Sequence, residues 1–341
     1  MRPPAETGGV SPKETEMMHS AARRLCAAAA IFLGAASAAA AADFPSQQPI
    51  KMITAFGPGS ASDIVARMIA ERLQTRLGQV VIVENRPGAS GQVATDLVAR
   101  SQPDGYTIML ATNTTHSSNP FLYKSLRYDP VKDFTPLAQV CNFPFVLVVS
   151  DKLGVSSVQD LLKYGKANPD KVNYAYGNST GQISAASFDK LTSMRAAAIP
   201  YKSTPQAMTD IIGGRSTFMF VDLASAAGQI KAGSLKALAV TTEKRSALAP
   251  DLPSVSEALG QPGFDLAAWV GIFGPANMPA PVSKRLADEL YAVVSSEEVK
   301  QKLTQMGAEP TPAPAEKLGP FVAQQLKVWG EKVKQAGIQP E

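Results

Sequence analysis

The chain alternates short apolar runs with turn-rich segments and amphipathic stretches, and one early unit sets the pattern for the rest. Ile50-Lys51-Met52-Ile53-Thr54-Ala55-Phe56 reads as a buried strand. Gly57-Pro58-Gly59-Ser60-Ala61-Ser62-Asp63 follows as a turn. Ile64, Val65, Met68, Ile69, Leu73 and Leu77 then recur at helical spacing, and Gly78 stands where a helix-ending glycine belongs. Val80 to Asn85 is a second strand, and Arg86-Pro87-Gly88-Ala89-Ser90-Gly91 is a second glycine-rich turn. Strand, helix, strand in this order predicts a parallel sheet. The loop after the first strand delivers small residues and free backbone N–H groups to a helix N-terminus, a setting that suits an anion.

The same alternation continues. Val93 to Ala99 predicts a helix, and Tyr106 to Ala111 a strand ending in the polar run Thr112-Asn113-Thr114-Thr115-His116. Open α/β sheets place their ligands beyond such strand ends. Asn119 to Lys124 reads as a short helix, and Phe145 to Val149 as the most hydrophobic strand. From Asp151 the pattern restarts. Ser156 or Ser157 caps a helix, Val172 to Tyr176 is a strand, and Gly177-Asn178-Ser179-Thr180-Gly181 leads into a helix ending near Met194. Strands at Ala198–Tyr201 and Thr217–Val221 end at Lys202 and Asp222. Helices at Gln206–Ile212 and Ala224–Ala232 and strands at Leu235–Val240 and Ala268–Phe273 follow. Two helices, Pro281–Leu303 and Glu316–Ala336, close the chain. The predicted class is α/β, with two modules, each a mostly parallel sheet flanked by helices. The chain leaves one module near Asn142–Ser150 and returns between Val240 and Trp269. Residues 43–144 with 265–341 are expected to form one lobe, and 145–264 the other. Opposed glycine loops on two lobes give a cleft, a usual place for a small ligand.

Composition narrows the function. The 341 residues, 45% hydrophobic, suffice for two cores. Arg23-Arg24 precede an alanine-rich run whose end, Ala39 to Ala42, offers small-residue cleavage sites. Residues 1–42 are therefore expected to be a signal peptide, cut near Ala41 or Ala42. Beyond it stand 29 basic and 26 acidic residues, a net +3 too mild for nucleic acid. No later stretch is apolar enough to span a bilayer. Cys141 is then the one cysteine left, so no internal disulfide is expected.

Catalytic readings fail on residue inventory. Gly177 to Gly181 matches G-x-S-x-G between a strand and a helix, the context of a nucleophile elbow. That triad needs a histidine after Ser179, and none exists; His116, which precedes it, is the one histidine beyond the leader. Metal sites need clusters of His, Cys, Asp or Glu, and one His with one Cys makes zinc a poor reading. Gly57 to Asp63 is neither a P-loop nor G-x-G-x-x-G. No catalytic residue, metal or cofactor is expected.

The chain resembles the tripartite tricarboxylate transporter substrate-binding proteins, also called the Bug family. The resemblance runs from Asp43 to Gln335. It rests on Phe56-Gly57-Pro58-Gly59-Ser60 with Asp63; Val83-Glu84-Asn85-Arg86-Pro87-Gly88-Ala89; Pro103-Asp104-Gly105-Tyr106-Thr107; Tyr128-Asp129-Pro130; Pro200-Tyr201-Lys202; Lys236 to Thr241; and Pro275 to Pro281. Each is weak alone, and in this order they are specific. The resemblance implies a two-lobed periplasmic binding protein of the type II Venus-flytrap kind. It implies capture of a small organic carboxylate, delivery to membrane transporter subunits, and a monomeric state. A sensor subunit presenting its ligand to a membrane partner, or an enzyme on the same scaffold, are the alternatives. Carried over position by position, the first-lobe site is Phe56, Gly57, Gly59, Ser60 and Ser62, with Thr112 and Asn113. The second-lobe site is Gly177, Asn178, Ser179, Thr180 and Gly181, with Tyr201, Lys202 and Asp222. The chain departs from the family at Ser60 and Ser203, where glycine is usual, and it has no histidine in the helix after Gly181.

Overall fold

The computed structural model describes residues Phe44–Pro340; the expected leader and its cleavage site lie outside them. The first strand, β1 (Ile50–Thr54), is buried at Ile50, Met52 and Ile53, so it can only be a central strand. The helix Ala61–Leu77 follows, capped by Ser60, and it closes at Gly78 in the left-handed conformation, where the residue pattern places its end. It returns the chain to β2 (Val81–Asn85), parallel to β1, and β3 (Thr107–Thr112) lies parallel on the other side of β1.

The centre of the sheet is antiparallel. β4 (Phe134–Ser150) is a single strand of 17 residues, extending well before the Phe145–Val149 run that the sequence predicts. Pro136 stands at a register shift in its ladder, between Pro136 and Ala138, and Pro144 forms the last pair with β9, where β4 changes partner. β5 (Asn173–Tyr176), β6 (Ala197–Pro200), β7 (Phe218–Asp222) and β8 (Leu235–Val240) follow, then β9 (Ala267–Pro275). Along the sheet the order is β2-β1-β3-β9-β4-β7-β5-β6, with β8 and β10 (Glu309–Pro314) also paired to β4. Parallel pairing is thus confined to the two flanks.

β4 changes partners along its length. Phe134 to Pro144 pairs with β9, whereas Phe145 to Val149 pairs with β7 and Val146 to Ser150 with β8. Two cores follow from this. Ile53, Phe56, Met109, Trp269, Phe273 and Leu318 cluster on one side of the change. Val146, Val148, Ala175, Met219 and Val221 cluster on the other. Thr241 ties the two chain crossings together. Its N–H donates to Phe145 O at 2.8 Å, its hydroxyl accepts from Phe145 N at 3.1 Å, and its carbonyl accepts from Leu266 N at 3.0 Å.

Three elements differ from the residue pattern. β10, with prolines at 310, 312 and 314, reads as loop, yet it pairs antiparallel with Ala138–Asn142 along β4. An edge position tolerates residues that cannot donate to a ladder. The span Pro281–Leu303 is two helices, Ala280–Val294 and Glu297–Gln305, because Ser296 caps a new start by accepting from Val299 N at 3.4 Å. After β3, Thr114–Ser118 forms a single π-helical turn, a local distortion often found at functional sites.

Candidate functional site

Both glycine loops are built by helix caps. Ser60, extended at φ −71°, accepts from Asp63 N at 3.4 Å. Asp63 folds back and accepts from Gly59 N at 3.0 Å and from Asn85 Nδ2 at 2.9 Å, with Arg67 at 2.9 Å. Burial by itself would raise the Asp63 pKa, but the Arg67, Gly59 and Asn85 bonds outweigh it and hold the carboxylate below its usual range. On the other side of the cleft Asn178 accepts from Gly181 N at 2.8 Å and donates to Thr204 Oγ1 at 3.1 Å. Asp222 likewise caps the helix Leu223–Lys231, accepting from Ser225 N at 2.7 Å. The polar residues that stand out in the sequence therefore spend part of their hydrogen bonding on the loops themselves. The amides of Gly59, Asp63 and Gly181, read from sequence as free, are taken.

Two adjoining cavities lie between these loops. The larger holds about 300 Å³ and is bordered by Gly177, Tyr201 and Lys202 among the expected residues. The smaller holds about 30 Å³, room for a group the size of one water, and is bordered by Ser60, Ser62, Thr112, Asn113, Thr180 and Asp222. Phe56 and Asn178 border both. Gly57, Gly59, Ser179 and Gly181 border neither. Gly57, Ser179 and Gly181 are buried, and Gly59 is exposed. A Cβ on Gly181 would lie 2.8 Å from Phe220 O, and Gly57 packs against Ser203.

Two buried hydrogen bonds close the cleft from side to side. Asn113 Nδ2 donates to Thr180 Oγ1 at 2.8 Å, and Ser179 Oγ donates to Thr114 Oγ1 at 2.9 Å. The hydroxyls of Ser179 and Thr180, expected to face a ligand, instead join the two halves. Tyr201 is similar: its ring borders the larger cavity while its hydroxyl donates to Asp210 Oδ2 at 2.7 Å. Lys202 is exposed and reaches the rim of the larger cavity.

Sequence reasoning missed a third loop. Ser90 and Gly91, with Tyr123 and Gln182, border the larger cavity, and Tyr123 Oη donates to Ser90 Oγ at 2.9 Å. The signal was the glycine-rich turn after β2. Gly91 has φ +85°, and a Cβ there would sit 2.8 Å from Thr115 and 2.9 Å from Ala55. His116 is fully buried and stacked on Phe273 with ring centroids 4.4 Å apart. Burial lowers its pKa to about 3, so it is neutral near pH 7. Cys141 is buried, and its thiol pKa is pushed up by that burial. Among the described residues no group of three His, Cys, Asp or Glu is placed to hold a metal, and no helix is long and apolar enough to cross a membrane.

Residues 65–338 match the family described as tripartite tricarboxylate transporter family receptor. Among solved structures, R. palustris Rpa4515 with adipate is 32% identical at a TM-score of 0.84, covering 88% of this chain and all of that one. The periplasmic binding protein BugD is 33% identical at 0.82, covering 86% of this chain and 99% of that one. MatC from Rhodopseudomonas palustris with bound malate is 27% identical at 0.78, covering 85% of this chain and all of that one.

Proposed function

We infer the function from one premise: the chain belongs to the tripartite tricarboxylate transporter family of receptors, and its fold is that of a two-lobed periplasmic binding protein. It captures a small organic carboxylate in the cleft between lobes 43–144 plus 265–341 and 145–264. It works in the periplasm as a monomer and delivers its ligand to the membrane subunits of a transporter. The observation that carries this reading is the pair of adjoining cavities, a polar one of about 300 Å³ and a smaller one of about 30 Å³ walled by both polar and apolar residues, enclosed by loops from both sides of the β4 crossing. The adipate and malate bound to two structural neighbours support a carboxylate ligand. The ligand is held by hydroxyls, side-chain amides and the remaining loop N–H groups, with Lys202 contributing from the rim. The one described histidine is buried and neutral, which leaves no imidazole base in the cleft.

A thermal-shift panel of aliphatic C4–C6 mono- and dicarboxylates tests this. At a hundredfold excess over Kd a true ligand adds about 2.7 kcal/mol of stability. For a chain of this size that raises Tm by roughly 5 °C. At least one carboxylate is expected to do so and to be recovered chemically unchanged. A panel in which none stabilises the protein, or in which the stabilising compound is converted, contradicts the reading.

A further inference from the structure

The two cavities of the cleft have opposite electrical character. Lys202 is the charged residue on the border of the larger one. Asp222 is the charged residue on the border of the smaller one, and it is only 5% exposed. Its capping bond from Ser225 N uses one of two carboxylate oxygens, and among the described residues no lysine or arginine pairs with it. Burial raises its pKa, and the bond from Ser225 N partly offsets that rise. Its place at the start of a helix also favours the ionised form.

Asn113 borders the same small space from the opposite side of the cleft. The bond to Thr180 fixes its amide, with Nδ2 as the donor, and Oδ1 is left buried without a partner. A buried acceptor with no donor is costly, and a ligand that supplies the donor removes that cost. A ligand carboxylate does not suit this end, because Asp222 and Asn113 Oδ1 already offer oxygen acceptors there and the space holds only about 30 Å³. The space fits a group the size of one water, such as a hydroxyl or an amine.

We propose that the cleft selects a carboxylate that also carries a hydrogen-bond donor. The carboxylate lies in the larger cavity on the Lys202 side, and Asp222 with Asn113 Oδ1 receives a hydroxyl or ammonium group in the smaller one. This rests on the carboxylate-binding reading above and adds a polarity and an orientation to it. The preferred class is therefore hydroxy or amino carboxylates over plain dicarboxylates of the same length.

Calorimetry on matched pairs tests the proposal: malate and aspartate against succinate, and 2-hydroxyglutarate and glutamate against glutarate. In the wild type the donor-bearing member of at least one pair is expected to bind more than about tenfold tighter, a difference of 1.4 kcal/mol. In Asp222→Asn, which keeps a capping oxygen, the preference should shrink below about threefold. Equal or tighter binding of the plain member in the wild type overturns the proposal, whether or not the variant folds. A preference left intact in a folded Asp222→Asn also overturns it. If no member of any pair, and no carboxylate of the thermal-shift panel, binds, the carboxylate reading itself fails and takes this proposal with it.

Discussion

Gly177→Ala is expected to destabilise the protein by about 1–3 kcal/mol, the usual range for overpacking. It is also expected to weaken ligand binding more than about tenfold, or 1.4 kcal/mol. The reason is close backbone approach. A Cβ at Gly177 would lie 2.3 Å from Thr204 N, 2.4 Å from Ser203 C and 2.6 Å from Ser203 O. These are main-chain atoms, so no rotamer change relieves the clash. One loop must move, and both loops border the larger cavity, through Asn178 on one and Tyr201 and Lys202 on the other. The bond from Asn178 Nδ2 to Thr204 Oγ1 would go with them. Thermal melting should fall by roughly 2–10 °C. Gly59→Ala is the useful comparison: nothing lies within 4 Å of its would-be Cβ, and its cost comes from a φ of +79° alone. Wild-type melting and affinity in Gly177→Ala would mean that these loops do not pack as described.

Ser179→Ala combined with Thr180→Val is expected to weaken ligand binding by about 1–3 kcal/mol with the fold intact. Both hydroxyls are buried, and each bonds across the cleft, to Thr114 Oγ1 and from Asn113 Nδ2. In the closed form the double variant leaves two polar groups of the opposite side without partners. In an open form water serves them instead. The substitutions therefore act on the closed state, and the loss of affinity reports the closing equilibrium rather than a lost ligand contact. Calorimetry that finds unaltered affinity would remove these two bonds from any part in closure.

Much of this was legible because local rules and long-range packing agree. The run Ile50–Thr54, the turn, the helical spacing to Leu77 and Gly78 all call for the same unit, and the structure builds it. One cap was legible too: Ser157, one of the two serines expected to start a helix, does so by accepting from Asp160 N, whereas the caps at Ser60, Asn178 and Asp222 read in the sequence only as site residues. β10 was not, because three prolines in six residues erase the strand signal and only the partner β4 makes the conformation favourable. Asn113 to Asn119 was not legible either. Seven consecutive polar residues carry no core signal and read as a strand-end loop, yet every one is buried. Partners within the turn and from distant positions, such as Tyr128 and Thr180, meet many of their polar groups. The site shows the same limit. Residue type marks Ser179, Thr180 and Tyr201 as polar candidates, but their hydroxyls are engaged by Thr114, Asn113 and Asp210. The first two of those partners sit more than sixty positions away in the chain, and no local pattern names them.

The central claim is that a carboxylate is captured by closing the two lobes over it. Small-angle X-ray scattering tests it most directly, on the protein alone and saturated with a carboxylate that raises its melting temperature. The account predicts a smaller radius of gyration with ligand, because each side of the cleft supplies only part of the cavity wall and ligand favours the form that brings both together. An unchanged radius of gyration at calorimetrically confirmed saturation would contradict it.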